Sequence, residues 1–435
     1  MTDVRFNNTN QDFQSLVQQA RQLSQNGLTS EEIASLRQMA ETNGLSENGK
    51  PMSSDEKYFI SALNNEENVR QLQSARFNPN NFTMDVVNRS PVTSPEVLDN
   101  PLNNAETHED PGVGVNQDLN DPNVTAHDLR AQINNIFTNF LHTPVPAGVQ
   151  ALTENFNNDR EALMYIRNMG KRAIGMAQPP MNATTINNIC TQVDSISRTD
   201  HHPSAGHSRT LAVSALHDVS MPSDIGQGMV GTCEGASIQI QLALRDPQQY
   251  LTMLNTLAMG NAYQSRSGEQ IQPNFTFTTD SSGRSISSKI MQNAIMDHAD
   301  GGRNYNSSAP TAGTDGLWDP QASKMMNVLF PGQNHHAYVN LQQNPQPGVT
   351  GNYSAEQLIG VLRGSNPSRT NPVLISMMFM PPGQHHAYHA VNVIQSNDQG
   401  VRIINPWGRE ESVTWEQLRQ RISGVVSNNL SLIHI

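Results

Sequence analysis

A chain of 435 residues exceeds the about 100 to 200 of an ordinary domain, so two or more units are expected. A net charge of -12, with only 27 Lys and Arg, leaves no basic footprint for nucleic acid or an anionic membrane surface. Two cysteines rule out a disulfide framework, and no window approaches the ~18 consecutive apolar residues of a membrane span. The opening "MTDVRFNNTNQDFQ" lacks the basic and apolar regions of a secretory signal. These features fit a cytoplasmic protein, or one exported without a classical signal peptide.

Along residues 1–77, "TSEEIASLRQMA" and "SSDEKYFISAL" each begin with a Ser/Thr cap and acidic first-turn residues before apolar positions at helical spacing, which predicts a small helical unit. Residues 78–125 are dense in Asn, Pro, Asp and Ser without periodicity and read as a linker. Helical patterns resume over 126–200. Leu129, Ile133, Ile136, Phe137 and Phe140 share one stripe, and "DREALMYIRNMGKRAIGM" and "ATTINNICTQVDSI" follow. This region precedes the next unit directly and could act as a prosegment or lid. Cys190 falls inside it as a small buried apolar residue. His201, His202 and His207 sit in a Pro/Ser/Gly loop without carboxylate or thiolate at ligand spacing, so no metal is expected there.

From 204 to 429 the pattern becomes mixed. "SSKIMQNAIMDHADG", "DPQASKMMNVLF" and "YSAEQLIGVLRG" predict helices and "NPVLISMMFM" a buried strand, while "HAVNVIQ" and "VRIIN" flank "SNDQG" as a hairpin. Helices first and an antiparallel sheet last make the unit α+β. The closing "LSLIHI", Leu430 to Ile435, reads as a sequencing-adaptor scar and is left out of the fold.

Chemistry concentrates in "DIGQGMVGTCEGASIQIQLAL" and "GQHHAYHAVNVIQSNDQGVRIINPWG". In the first, Gly228 and Gly231 allow a tight turn between Gln227 and Cys233. The block after Cys233 alternates as a strand would, but Ala236, Ile240, Ala243 and Leu244 also form a helical stripe. A helix starting at the cysteine would present unpaired N–H groups that favour thiolate. Acyl transfer needs a nucleophile, a base, an orienter and a donor to the developing oxyanion, and the two stretches offer one candidate for each.

The ordered set of Gln227, Cys233, a His-Ala-Val at His389 and an Asn-Pro-Trp-Gly at Asn405 resembles the papain-like cysteine peptidases. "QGMVGTC" and "NPWG" are most similar to the calpain-type catalytic domain. The resemblance covers about half the chain, residues 208 to 415. It implies a two-lobe domain, a helical lobe with the cysteine and an antiparallel sheet lobe with the histidine and asparagine, preceded by helical N-terminal regions. It also implies Cys233 as nucleophile, His389 as base, Asn405 as orienter of the imidazole and Gln227 as oxyanion donor. Trp407 would shield the His–Asn hydrogen bond. The implied activity is hydrolysis of peptide or isopeptide bonds in a protein or peptide substrate through a thioester, with no cofactor and no metal. Transfer of the acyl group to an amine, as in transglutaminase-like effectors, and an inactive papain-like binding module are the alternatives. Two departures stand out. Glu234 follows the cysteine where the family carries an aromatic residue, and it would raise the thiol pKa if it faced the sulfur. The interval from Cys233 to His389 is also slightly long, which places an insertion around residues 264 to 318.

Three nearby histidines compete for the role of base. A hairpin turn centred near residue 397 or 398 sets His389 opposite Asn405, whereas His386 would point to the other sheet face and His385 would lie farther away. The competing argument is that "HHAY" resembles the calpain-type "GHAY" more literally, which would select His386, with a bulge repairing the register. The near-copy "HHAY" at His335 to Tyr338 has no Asn-Pro-Trp-Gly after it.

Overall fold

The computed structural model describes residues 124–428, apart from 175–179, 229, 278, 279, 281, 303, 304, 308–315, 347, 348, 350 and 379–387. All of these belong to one unit, Asp99–Ile435. The helical unit expected at 1–77, nearly all of the linker, Leu430 to Ile435, His385 and His386 lie outside the described residues.

The described chain is α+β, with helices first. α1 (Ala126–Asn135) starts at Thr125, whose hydroxyl accepts from the Asp128 amide at 3.2 Å while the Asp128 carboxylate takes the Thr125 N–H at 2.9 Å. α2 (Ala147–Asn155), α3 (Arg160–Ala173) and α4 (Ala183–Arg198) follow, the last two capped by Asp159 and Asn182. Next come α5 (Ser208–Ser220), α6 (Cys233–Arg245) and α7 (Pro247–Ala258), in which Pro occupies the first turn, where its missing N–H costs nothing. A two-stranded hairpin, β1 (Tyr263–Gln264) with β2 (Gln270–Ile271), then leads to α8 (Ile286–Ala299) and α9 (Asp319–Leu329).

The second half supplies the sheet: β3 (His336–Val339), α10 (Ala355–Gly364), β4 (Val373–Met378), β5 (Tyr388–Ser396), β6 (Gly400–Asn405), β7 (Arg409–Thr414), α11 (Trp415–Arg421) and β8 (Ile422–Ser427). The six strands are ordered β3-β8-β4-β5-β6-β7, and every pair is antiparallel. Both sheet faces are covered. Leu374, Ala390, Ile394, Ile404 and Val426 join the helical core, while Ile375, Met377, Val391, Val393 and Ile403 pack with Leu358, Leu362 and Leu418 of α10 and α11. Every residue of β4 and β8 is therefore buried, which accounts for their unbroken apolar or small-residue runs.

α6 is the central helix, buried on all sides from Cys233 to Leu244. Its contact with β5 is polar. Ser237 Oγ donates to the Ala390 carbonyl at 3.1 Å, Asn392 Nδ2 to the Ser237 carbonyl at 2.9 Å, and Gln241 Nε2 to Asn392 Oδ1 at 2.8 Å. α1 to α4 put Leu129, Leu152, Leu163, Ile166, Ile189 and Val193 into the same apolar cluster as α5 to α9.

The β5–β6 hairpin has a different register from the one expected. Asn397 closes the turn, its Oδ1 accepting from the Gln399 and Gly400 amides, so pairing begins at Ser396 with Val401. A bulge between Val393 and Gln395 takes back one residue, and Asn392 then faces Ile404. Continued by one step, the ladder sets Asn405 across from Val391, not His389. His389 is its diagonal neighbour on the same face, within reach of long side chains.

Candidate active site

The helix start that carries Cys233 is tied down from both sides. Gly226 forms an isolated antiparallel bridge with Trp407, and the Gln227 amide donates to the Pro406 carbonyl at 2.6 Å. The "GQG" and "NPWG" stretches, about 180 residues apart in the chain, are thus paired through their backbones. Gly228 has φ +62°, and a Cβ there would lie 2.2 Å from the Ser282 carbonyl oxygen, so only glycine fits this turn. Thr232, at the N-cap of α6, uses its hydroxyl elsewhere, donating to Gln292 Oε1 at 2.7 Å. Gln292 Nε2 in turn donates to the Gly226 carbonyl at 3.0 Å and to Gln239 Oε1 at 2.9 Å. One α8 side chain therefore holds both ends of the Gln227 to Cys233 loop.

On the sheet side, His389 Nε2 lies 2.8 Å from Asn405 Oδ1, and the imidazole stacks on the Trp407 ring at 4.3 Å between centroids and 17° between planes. Asn405 is fixed in turn: its Nδ2 donates to Glu411 Oε1 at 2.8 Å, and its Oδ1 also accepts the Trp407 amide at 3.3 Å. Because an amide oxygen only accepts, the ring nitrogen bonded to Asn405 carries a proton, which fixes the neutral tautomer as Nε2–H. Burial pushes the His389 pKa down to about 4, against the opposing effects of the Asn405 bond and the Glu411 charge.

Cys233 is the first residue of α6 and is 6% exposed. Its Sγ donates to Glu234 Oε2 at 3.1 Å. Burial raises its pKa well above the usual thiol range, and the Glu234 charge adds to the rise. The Ala390 backbone amide, next to His389 in the chain, pulls the other way. The thiolate expected from the helix start is thus disfavoured, and Glu234 does face the sulfur. Burial also lifts Glu234, to about 7, with a further push from the Asp319 carboxylate. Gln227 Nε2 donates to the Val230 carbonyl at 2.9 Å, and its buried Oε1 has no hydrogen-bond partner among the described residues.

The other candidates lie apart from this cluster. His335 is buried beside Phe330 and Asn327, and β3, which begins at His336, is separated from β5 by β8 and β4. His201 bonds Ser208 and Asn255, and His202 stacks on Phe275. Cys190 is fully buried in α4 and, like Cys233, is a free thiol. Sequence reasoning missed Gln292 and Asp319. The signal for Gln292 was an amide pair, Gln292 and Asn293, inside the apolar run "IMQNAIM". No local pattern marks Asp319.

Compared with family models, with curated proteins and with solved structures, the chain matches none. Among the described residues, no helix is long and apolar enough to cross a membrane.

Proposed function

We propose that the chain is a cysteine peptidase with a papain-like two-lobe arrangement. α5 to α8 would form the helical lobe, β3 to β8 the sheet lobe, and a protein or peptide would be the substrate. The observation that carries this reading is the His389–Asn405 hydrogen bond stacked on Trp407, in a turn that is itself bridged to the loop leading into Cys233. Asn405 engages Nε2, so proton exchange with the sulfur falls to Nδ1. In the acylation step Cys233 would lose its proton to Nδ1, the S–C bond would form, and the imidazolium would return the proton to the leaving amine. Water would then hydrolyse the thioester with His389 as base. Gln227 Nε2 has a second hydrogen beyond the one given to Val230, which suits it to the developing oxyanion.

The test is hydrolysis of casein by full-length protein. Wild type should generate new termini, and Cys233→Ala and His389→Ala should not. Full hydrolysis by folded Cys233→Ala would end this reading. A second reading, an inactive binding module on the same scaffold, is favoured by the carboxylate against the sulfur. It predicts that wild type cleaves nothing and fails to react with an epoxide thiol probe.

A further inference from the structure

The pair Cys233–Glu234 occupies the first turn of α6, where neither side chain is exposed by more than 6%. The 3.1 Å Sγ to Oε2 contact is closed over by neighbouring chain. The Leu317 backbone bonds Glu234, and a Cβ at Gly316 would stand 3.7 Å from Glu234 Oε2 and 3.8 Å from the Gly231 carbonyl. From α9, Asp319 faces the same spot. Its own oxygens accept from Ser376 Oγ and Gln346 Nε2, both at 2.5 Å. α8 brings the uncharged Gln292 and Met296, and β5 brings the Ala390 amide, which follows His389 in the chain. Neither Glu234 nor Asp319 forms an ion pair with Lys, Arg or His among the described residues. Among the described residues, the sulfur therefore meets negative charge with no balancing cation in contact.

We propose that Glu234 governs the nucleophile: its carboxylate holds the Cys233 hydrogen and keeps the sulfur a thiol, and Cys233 becomes reactive only when that carboxylate is neutralised. This rests on the reading of Cys233 as nucleophile, and it makes Glu234 a group in contact with the reacting atom. A buried carboxylate can hold a proton far more readily than an exposed one, so the restraint can be lifted near neutral pH. With Glu234 neutral, the sulfur no longer faces a like charge on ionising. It gives up its proton to solvent, or to His389 in a reaction cycle, and attacks.

The test reads ionisation directly. The ultraviolet absorbance of the thiolate is titrated in full-length wild type, E234Q, E234D and D319N, each against a C233S partner that removes the Cys233 signal. Alkylation by iodoacetamide, in which thiolate sulfur displaces iodide, is followed in parallel and assigned to Cys233 or Cys190 by peptide mapping. E234Q should lower the Cys233 midpoint by at least about one pH unit and speed alkylation about tenfold at neutral pH. D319N should shift it the same way by less, and E234D should stay closer to wild type than E234Q. Should E234Q fail to fold, E234A supplies the same loss of charge. A midpoint for the neutral variant equal to or above that of wild type would overturn the proposal. Hydrolysis plays no part in this measurement. A chain that cleaves nothing yet shows the shift would refute the peptidase reading alone, and an active peptidase without the shift would refute only the role of Glu234.

Discussion

Gln292→Met replaces the side chain that holds both ends of the Gln227 to Cys233 loop with an apolar one of similar length. Four hydrogen bonds are lost: from Thr232 Oγ1 at 2.7 Å, from Arg284 at 3.0 Å, to the Gly226 carbonyl at 3.0 Å and to Gln239 Oε1 at 2.9 Å. Arg284 keeps Asp280, Ser282 and Asn293, so two groups, Thr232 Oγ1 and Gln239 Oε1, are stranded in the interior and the Gly226 carbonyl in a part-buried position. At about 1–3 kcal/mol for each of the two unsatisfied buried groups, the cost is about 2–6 kcal/mol, a large part of an ordinary folding stability of roughly 5–15 kcal/mol. At roughly 2–4 °C per kcal/mol for a unit of this size, thermal unfolding should fall by at least about 4 °C. Gln292→Glu separates positioning from stability. Its oxygens still accept from Thr232 and now pair with Arg284, but nothing donates to Gly226 or to Gln239 Oε1. This variant should regain part of the lost stability while casein hydrolysis stays depressed in kcat with little change in KM. Losses of up to about 100-fold follow from displacing reacting groups by an ångström. Calorimetry and steady-state kinetics check both. A Gln292→Met protein melting within about 2 °C of wild type would refute the accounting, and a fully active Gln292→Glu would refute the positioning.

His389→Ala should lower kcat about 100- to 10,000-fold in casein hydrolysis without altering the circular dichroism, as expected for loss of a proton-transfer group. Acid should destabilise the fold between about pH 6.5 and 4, because His389 and His335, held down to about 4 by burial, stay neutral when folded and take protons only on unfolding. Each contributes on the order of 3 kcal/mol across that window, and unfolding in denaturant at stepped pH measures it. Glu234 acts with the opposite sign: its carboxyl, raised to about 7, binds protons in the folded state and adds stability on acidification, so Glu234→Gln should steepen the acid loss. Removal of residues 1–203 should unfold the remainder instead of activating it. Ile186, Ile189, Val193 and Ile196 of α4 alone bury side chains worth roughly 6–12 kcal/mol, and circular dichroism of the truncated chain tests this.

Where pattern and packing agree, the sequence was legible. β4, β5, β6 and the helices α8 to α10 fall where their periodicity puts them, because each has a clear apolar face or run with capping or turn residues at its ends. α6 was ambiguous for a physical reason. A helix buried on every side has no polar face, so the 3.6-residue period fades and chance alternation of Ile, Gln and Leu reads equally well as a strand. The hairpin was legible in its faces but not in its facing pairs. Face depends only on parity, which survived, whereas register depends on how the Asn397 side chain closes the turn and on one bulge. Gln292 and Asp319 reach the site from α8 and α9, and tertiary placement of this kind leaves little or no local trace.

The charge state of Cys233 shows how two correct local rules are ranked by magnitude. A helix N-terminus favours an anion by about 0.3–1 kcal/mol, and by up to ~2 kcal/mol in partly buried geometries. A full negative charge 3.1 Å from the sulfur opposes it by about 5 kcal/mol even at an effective dielectric of 20, before any cost of removing the thiolate from water. Burial and, when ionised, the Glu234 carboxylate together outweigh the helix start, so the sulfur rests as a thiol and the helix dipole that leads one to expect a thiolate does not decide its state. Neutralisation or displacement of Glu234 removes one of the two effects that oppose ionisation, burial being the first and larger, while the favourable Ala390 amide and helix start are already in place.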